Sequence, residues 1–341
     1  MKPGRIPAIM LVQFIGVACL LPAAATAHVR WFVEAGSAPA PVPYRLSDPA
    51  VWAWALIAMA LVATAVVLDR KLPAFAVPKT KVRHDVMELM RILTGMSLLL
   101  TAYDGSLIAP HLEAVGGFGL ALVLLQAGIG LLLLSNHAPH YAAILLLLLF
   151  LGMSIHFGFV LTVEYVNIVG IALFILFNAL PDPGLSDRLK PYSVDVLRIF
   201  TGLSLIILGV AEKLHPAALG QVFIADYAWN FMPLLGFDWF DDRMFVLSAG
   251  VMEVVFGTIL VLGVVTRLNI LAVAVFMLTS NIVFLIEGRN EEALLELIGH
   301  LPIIATALIL LVLGSGQRLK VTPRRLNVLS IGAYPKAEGW A

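Results

Sequence analysis

The feature that most constrains this chain is a series of nine apolar runs, at residues 51–68, 86–103, 117–134, 141–161, 165–180, 194–210, 245–265, 268–286 and 297–313. Each is close to the ~20 residues that an α-helix needs to cross the hydrocarbon core of a bilayer. Inside that core a chain has no water to bond its peptide groups, so runs of this kind are satisfied as helices. Hydrophobic residues make up 60% of the sequence and charged residues 13%, which places the protein in the membrane class. The expected fold is therefore an all-α polytopic membrane protein whose first partner is the lipid bilayer. Formal net charge is zero and no basic block is present, so a nucleic-acid role has no electrostatic footprint. The single cysteine, Cys19, excludes an intrachain disulfide, a CxxC redox pair and a cysteine metal cage.

The runs are not independent of one another. Met90-Arg91-Ile92-Leu93-Thr94-Gly95-Met96-Ser97-Leu98 is echoed by Leu197-Arg198-Ile199-Phe200-Thr201-Gly202-Leu203-Ser204-Leu205. Further along, Gln126 with Gly130 answers Glu253 with Gly257, Phe150 and Ser154 answer Phe276 and Ser280, and Glu164 answers Glu296. This reads as an internal repeat: two tandem four-helix transmembrane bundles, residues 86–180 and 194–313, preceded by one extra transmembrane helix, residues 51–68. Each half has an even number of spans, so both enter from the same side and the repeat is parallel. The largest insertion falls between the first two spans of the second half.

Residues 1–27 have Lys2 and Arg5, an apolar run, then Ala25-Thr26-Ala27, the three regions of a cleavable signal peptide. Cleavage leaves His28 as the first residue of an exported, proline-rich segment, residues 28–50. An N-terminal histidine offers an amine and an imidazole to one metal ion, a chelate suited to copper. Loop lysines and arginines concentrate on one side, at Arg70, Lys71, Lys79, Lys81, Arg83, Arg188, Lys190, Arg267 and residues 318–336. That side is expected to be cytoplasmic, which makes residues 314–341 a cytoplasmic tail and agrees with an exported N-terminus in a bacterial inner membrane. Arg91 and Arg198, at the start of their spans on that side, read as anchors that snorkel to headgroups. His137 and His140 read as solvated loop residues.

A carboxylate near the bilayer centre costs about 2.5–3.5 kcal/mol on insertion scales, so each needs a partner, a neutral form or a use. Glu253 shares a helical face with Gly250 and Gly257, which turns it toward the bundle interior. Glu296 and His300, four apart, can meet each other or one ligand. These three are the candidate proton-handling residues. Gln126 reads as an interhelical hydrogen bond that holds helices. The long outer segment, residues 213–244, is rich in aromatics and is expected to carry a short amphipathic helix between His215 and Phe231, ended by Pro233 and Gly236. It lies on the membrane or caps the bundle. Glu212, Lys213 and Trp229 are candidates for holding a ligand at this outer face.

The second half resembles the DoxX/DoxD-like family of small four-helix membrane proteins. The likeness is carried by Leu197-Arg198 and Gly202, Glu212-Lys213-Leu214, Glu253 with Gly257, and Gly263-Val264-Val265-Thr266-Arg267, over residues 194–313. The first half looks like a diverged copy that lacks the Glu-Lys-Leu turn. The resemblance implies a membrane subunit of a quinone-linked or thiol-linked electron-transfer system working with a redox partner protein. Two rival readings come from other classes: a copper-handling or transport protein, and a structural subunit without a site.

Overall fold

The computed structural model describes residues 29–33, 44–73, 75–76, 81–215, 219–322 and 327–328. The twelve α-helices among them are α1 Pro49–Lys71, α2 Lys81–Tyr103, α3 Gly116–Ser135, α4 Pro139–Phe157, α5 Phe159–Thr162, α6 Asn167–Ala179, α7 Pro183–Leu189, α8 Ser193–Leu208, α9 Leu219–Tyr227, α10 Asp242–Leu262, α11 Thr266–Ile286 and α12 Asn290–Leu313. Among the described residues, strands are limited to a two-residue parallel pairing, Phe75–Ala76 with Asn327–Val328. Eight helices are long and apolar enough to cross a membrane, and a bent pair makes a ninth candidate. The architecture is that of an all-helical, multi-pass membrane protein. The predicted signal peptide, residues 1–27, lies outside the described residues.

The ninth candidate is where the apolar run beginning at Tyr165 was expected as one straight span. Gly158 adopts φ 88°, the short α5 follows, and a 3-10 turn over Val163–Tyr165 joins it to α6 at a 55° bend. The break carries Glu164, Tyr165 and Asn167 into the interior, where all three are buried.

Spans that are apolar all round have no polar stripe to choose their packing face, so small residues choose it. A methyl group on Gly202 would come within 2.5 Å of the Gly257 carbonyl oxygen, and one on Gly95 within 3.0 Å of that of Gly130. These glycines let α8 lie against α10 and α2 against α3. Contacts then run α2–α3–α4–α6–α8–α10 and α11–α12–α2, with α10 touching α11 thinly. The helices before α7 thus meet those after it along two seams, α6 with α8 and α12 with α2, while α1 packs outside against α10.

The arginines correct one expectation. Arg91 and Arg198 do not snorkel to headgroups; they are 6% and 0% exposed. The Arg198 guanidinium donates to the carbonyls of Leu260 and Val261, the latter at 2.7 Å, in the last turn of α10. Arg91 donates to Leu133 and Leu134, the latter at 2.8 Å, at the end of α3. Arg267 does the same for α12, through Leu311 at 2.7 Å and Val312 at 2.9 Å. The last four carbonyls of a helix have no intrahelical donor and form its negative pole, and a guanidinium fork answers both needs. The chain beyond α12 is stapled to the same end: Asp195 accepts from the amides of Arg318 and Leu319, and Asp69 from Val265 N, Lys320 Nζ and Thr322 Oγ1.

Candidate functional site

At the opposite end of α8 the helix does not stop at Val210, where the apolar run ends, but continues as a π-turn over Gly209–Leu214. Its wide turn is closed by the i→i+5 bond from His215 N to Val210 O, 2.7 Å. The extra residue in a π-turn rotates the side chains beyond it about the helix axis, and here Glu212 and Lys213 both turn inward, 0% and 4% exposed. Two glycines make room. A methyl group on Gly209 would sit 2.8 Å from the Gly250 carbonyl oxygen, and one on Gly250 2.9 Å from Lys213 Cβ. Lys213 Nζ therefore reaches Glu253 Oε1 at 2.8 Å and stands 3.9 Å from Glu212 Oε2.

A second cation arrives from the N-terminal side. The Val29–Trp31 turn places Arg30 on Glu164, with Nη2 3.1 Å from Oε1 and Nε 3.2 Å from Oε2, and the Val29 amide donates to Glu212 Oε2 at 2.9 Å. The result is an alternating string of carboxylates and cations: Glu164, Arg30, Glu212, Lys213, Glu253. Three acids face two bases, and the end of the string is incomplete: Glu253 Oε2 is buried with no hydrogen-bond partner among the described residues.

That end lines a cavity. Glu212, Lys213, Glu253 and His300 form its polar end, while Leu208, Phe256, Val273, Met277 and Ile303 contribute to apolar walls between α8/α10 and α11/α12. About 830 Å³ there is unfilled by protein atoms, open solvent included. His300 Nδ1 lies 2.8 Å from the backbone oxygen of Glu296. A carbonyl only accepts, so Nδ1 carries a proton.

The sequence candidates separate accordingly. Glu253 and His300 line the same cavity as Glu212 and Lys213, the pair expected to hold a ligand. Glu296 stands apart: its carboxylate accepts from Ser280 Oγ at 2.7 Å, and its link to His300 is through the backbone. Trp229 lies away from the cavity, half-buried, where Nε1 donates to Glu287 at 3.2 Å and the ring packs on Phe284. His28 lies outside the described residues, among which no group of three His, Cys, Asp or Glu residues is placed to hold a metal ion. The aromatic segment is a cap: α9 buries Leu219, Val222, Phe223 and Ile224, and a 3-10 turn over Pro233–Leu235 ends at Gly236 with φ 85°. Sequence reasoning passed over Arg30, Trp31 and Tyr165. A charged residue three positions after the expected cleavage site, ahead of a proline-rich stretch, was the available cue.

Compared with known proteins, the chain matches no family model, no curated protein and no solved structure.

Gln126, buried on α3, is taken up by structural hydrogen bonds. Gln126 accepts from Ile108 N at 3.0 Å and donates to Leu98 O, Thr101 Oγ1 and Ser106 O, which uses its amide fully and ties the 104–115 loop to α2 and α3. Around it the interior is closed by Leu98, Ile129, Leu133, Leu146 and Met153. In the same loop, outside the spans, His111 has both ring nitrogens buried without a partner among the described residues. Burial first, and the Arg30 charge second, lower its pKa from 6.5 to about 4. Between those values the unfolded chain binds a proton that the folded chain does not, so stability falls as pH drops through this window. The expected loss is up to about 3 kcal/mol at 1.36 kcal/mol per unit. Thermal melting of purified protein from pH 7 to 4 should show the decline, and His111→Leu should flatten it; an equal decline in the variant refutes the assignment.

Proposed function

We propose that the protein is a bacterial inner-membrane subunit of a quinone-linked electron-transfer system, with a quinone site in the second-half cavity and a redox partner that takes or supplies the electrons. The observation that carries this reading is Glu253 Oε2, a buried acceptor without a partner among the described residues, lining a mostly apolar chamber. A quinol has the matching form: an apolar body for the Phe256, Val273 and Met277 walls, and ring hydroxyls that donate to Glu253 Oε2 and His300 Nε2. Both groups then serve as proton acceptors when the quinol is oxidised and as donors in the reverse direction. Lys213 holds Glu253 in place, and Glu212 and Glu164 continue the charged string toward the aromatic cap.

The cap marks the outer side, because the capping arginines and the Arg318–Lys320 region sit at the other end, in keeping with positive residues inside. The resemblance to DoxX/DoxD-like proteins supports the same membrane-subunit role. A duplicated origin is supported by paired contacts: Arg91 and Arg198 each cap the next long helix, and Gly95–Gly130 and Gly202–Gly257 each bring two helices together. Gln126 and Glu253 then hold corresponding places, one spent on structure and the other left open to the cavity.

The test is photolabelling of the purified protein with an azidoquinone reduced to its quinol form, whose hydroxyls can donate to both acceptors. Glu253→Gln keeps an acceptor for Lys213 and should preserve folded yield, yet it and His300→Gln should each lower specific labelling about tenfold, the loss expected when a buried hydrogen bond to a charged group worth ~1.5 kcal/mol is removed. Full labelling in both folded variants would sink the quinone site.

A further inference from the structure

We infer that the outer mouth of the cavity is a peptide-recognition site and that Val29–Trp31 is the chain's own ligand for it, seated as a displaceable stopper. Four different chemistries recognise three consecutive residues. The Val29 amide donates to Glu212 Oε2 at 2.9 Å, and the Val29 side chain, 1% exposed, belongs to a buried apolar cluster with Phe223, Phe245 and Val246. The Arg30 guanidinium is held by both oxygens of Glu164. The Trp31 indole N–H donates to Tyr165 OH at 3.1 Å, and its rings lie 5.0 Å from the His300 ring, centroid to centroid.

The seat for Trp31 is shaped for an indole. Gly299 is the residue of α12 beneath it, and a methyl group added there would overlap the Trp31 ring. A glycine inside a long helix costs about 1 kcal/mol relative to alanine, and φ at Gly299 needs no such residue, since it is not among the positive-φ glycines. The close approach of the indole is what accounts for it.

The stopper covers the polar end. Val29 and Arg30 sit on Glu212, and Trp31 on His300, both of which line the cavity. Arg30 also joins the halves, because Glu164 belongs to the first-half bend while Glu212 belongs to the second-half π-turn. The stopper is held through the side chains of Glu164, Tyr165 and Glu212, so it can leave its seat without breaking the backbone bonds of any span. Water and soluble ions then reach the polar end of the cavity faster when the stopper is out than when it is in.

The experiment uses the full chain with Cys19→Ser and Ala274→Cys, a small cavity-lining position on α11, and reads the rate of modification by a charged, water-soluble methanethiosulfonate. Trp31→Ala removes the stopper's ring. Gly299→Ala expels it from the other side while strengthening the helix, so the test survives if Trp31→Ala fails to fold. Both should speed modification at least tenfold, and acetyl-Val-Arg-Trp-amide at millimolar concentration should slow the Trp31→Ala rate again. Unchanged rates in the folded variants overturn the stopper, and acceleration without recovery by the peptide overturns the recognition site. Neither result bears on quinone labelling, and loss of the quinone reading leaves this one standing.

Discussion

Replacing Lys213 with methionine is expected to abolish the folded protein, and Glu212→Gln with Glu253→Gln in the same chain is expected to restore it. Lys213 Nζ is the cation nearest both carboxylates, 2.8 Å from Glu253 and 3.9 Å from Glu212, and all three side chains are 5% exposed or less. Methionine fills the same space, so the substitution removes charge with little change in packing. It leaves two acids facing each other with Arg30 as the remaining base, and Arg30 already holds Glu164. Removing one partner from a buried pair typically costs about 3–5 kcal/mol, a large part of the ~5–15 kcal/mol that holds a domain together. Removing the acids together with the base takes away the cause of that cost. The sum of the separate effects should therefore exceed the effect of the combined change by several kcal/mol, the mark of residues that act as one unit. Monodisperse yield in detergent and thermal melting check it. A Lys213→Met chain that melts within two degrees of the parent, with ~1 kcal/mol shifting a chain of this length by about 1–2 °C, rules out a central role for the pair.

This cluster also divides the legible from the hidden in the sequence. Membrane spans are legible because bilayer thickness sets their length, and the runs starting at Val51, Gly117 and Phe245 fall on α1, α3 and α10. The inward face of Glu253 is legible from Gly250 and Gly257, since glycine at helical spacing marks close approach. The partner of Glu253 is not. Lys213 lies beyond the end of an apolar run, and only the π-turn, which depends on packing against Gly250, swings it into the interior. Glu296 and His300 share a helical face, as their spacing of four requires, but spacing leaves the rotamers open. The Glu296 carboxylate goes to Ser280 on α11, and the His300 ring turns back to the helix backbone. Arg91 and Arg198 depart from expectation for a related reason. An arginine near the end of a span looks the same in sequence whether it points to headgroups or to the end of a neighbouring helix.

Arg198→Lys should separate those two roles, and it is expected to destabilise strongly. A snorkelling arginine needs only charge and reach, and lysine supplies both. Arg198 instead spends a rigid fork on several acceptors at once: the carbonyls of Leu260 and Val261 in α10, Ser315 O at 2.8 Å, Leu319 O at 2.8 Å, and Asp195 Oδ1 at 3.4 Å. An ammonium has three donors around one nitrogen and cannot span that set. Gly263 adds a limit of shape, because a methyl group there would stand 2.8 Å from the guanidinium carbon. With lysine in place, at least two buried carbonyls lose their donor at about 1–3 kcal/mol each, and the 314–319 segment is tied to α8 through Asp195 alone. Arg91→Lys should be milder, since the acid beside it, Glu88, has a side chain 32% exposed, against 0% for Asp195. Melting temperature and limited proteolysis read the difference. Arg198→Lys should lower the first by several degrees more than Arg91→Lys and open the chain to cleavage after Gly314, and a lysine variant indistinguishable from the parent in both would return Arg198 to the role of a membrane anchor.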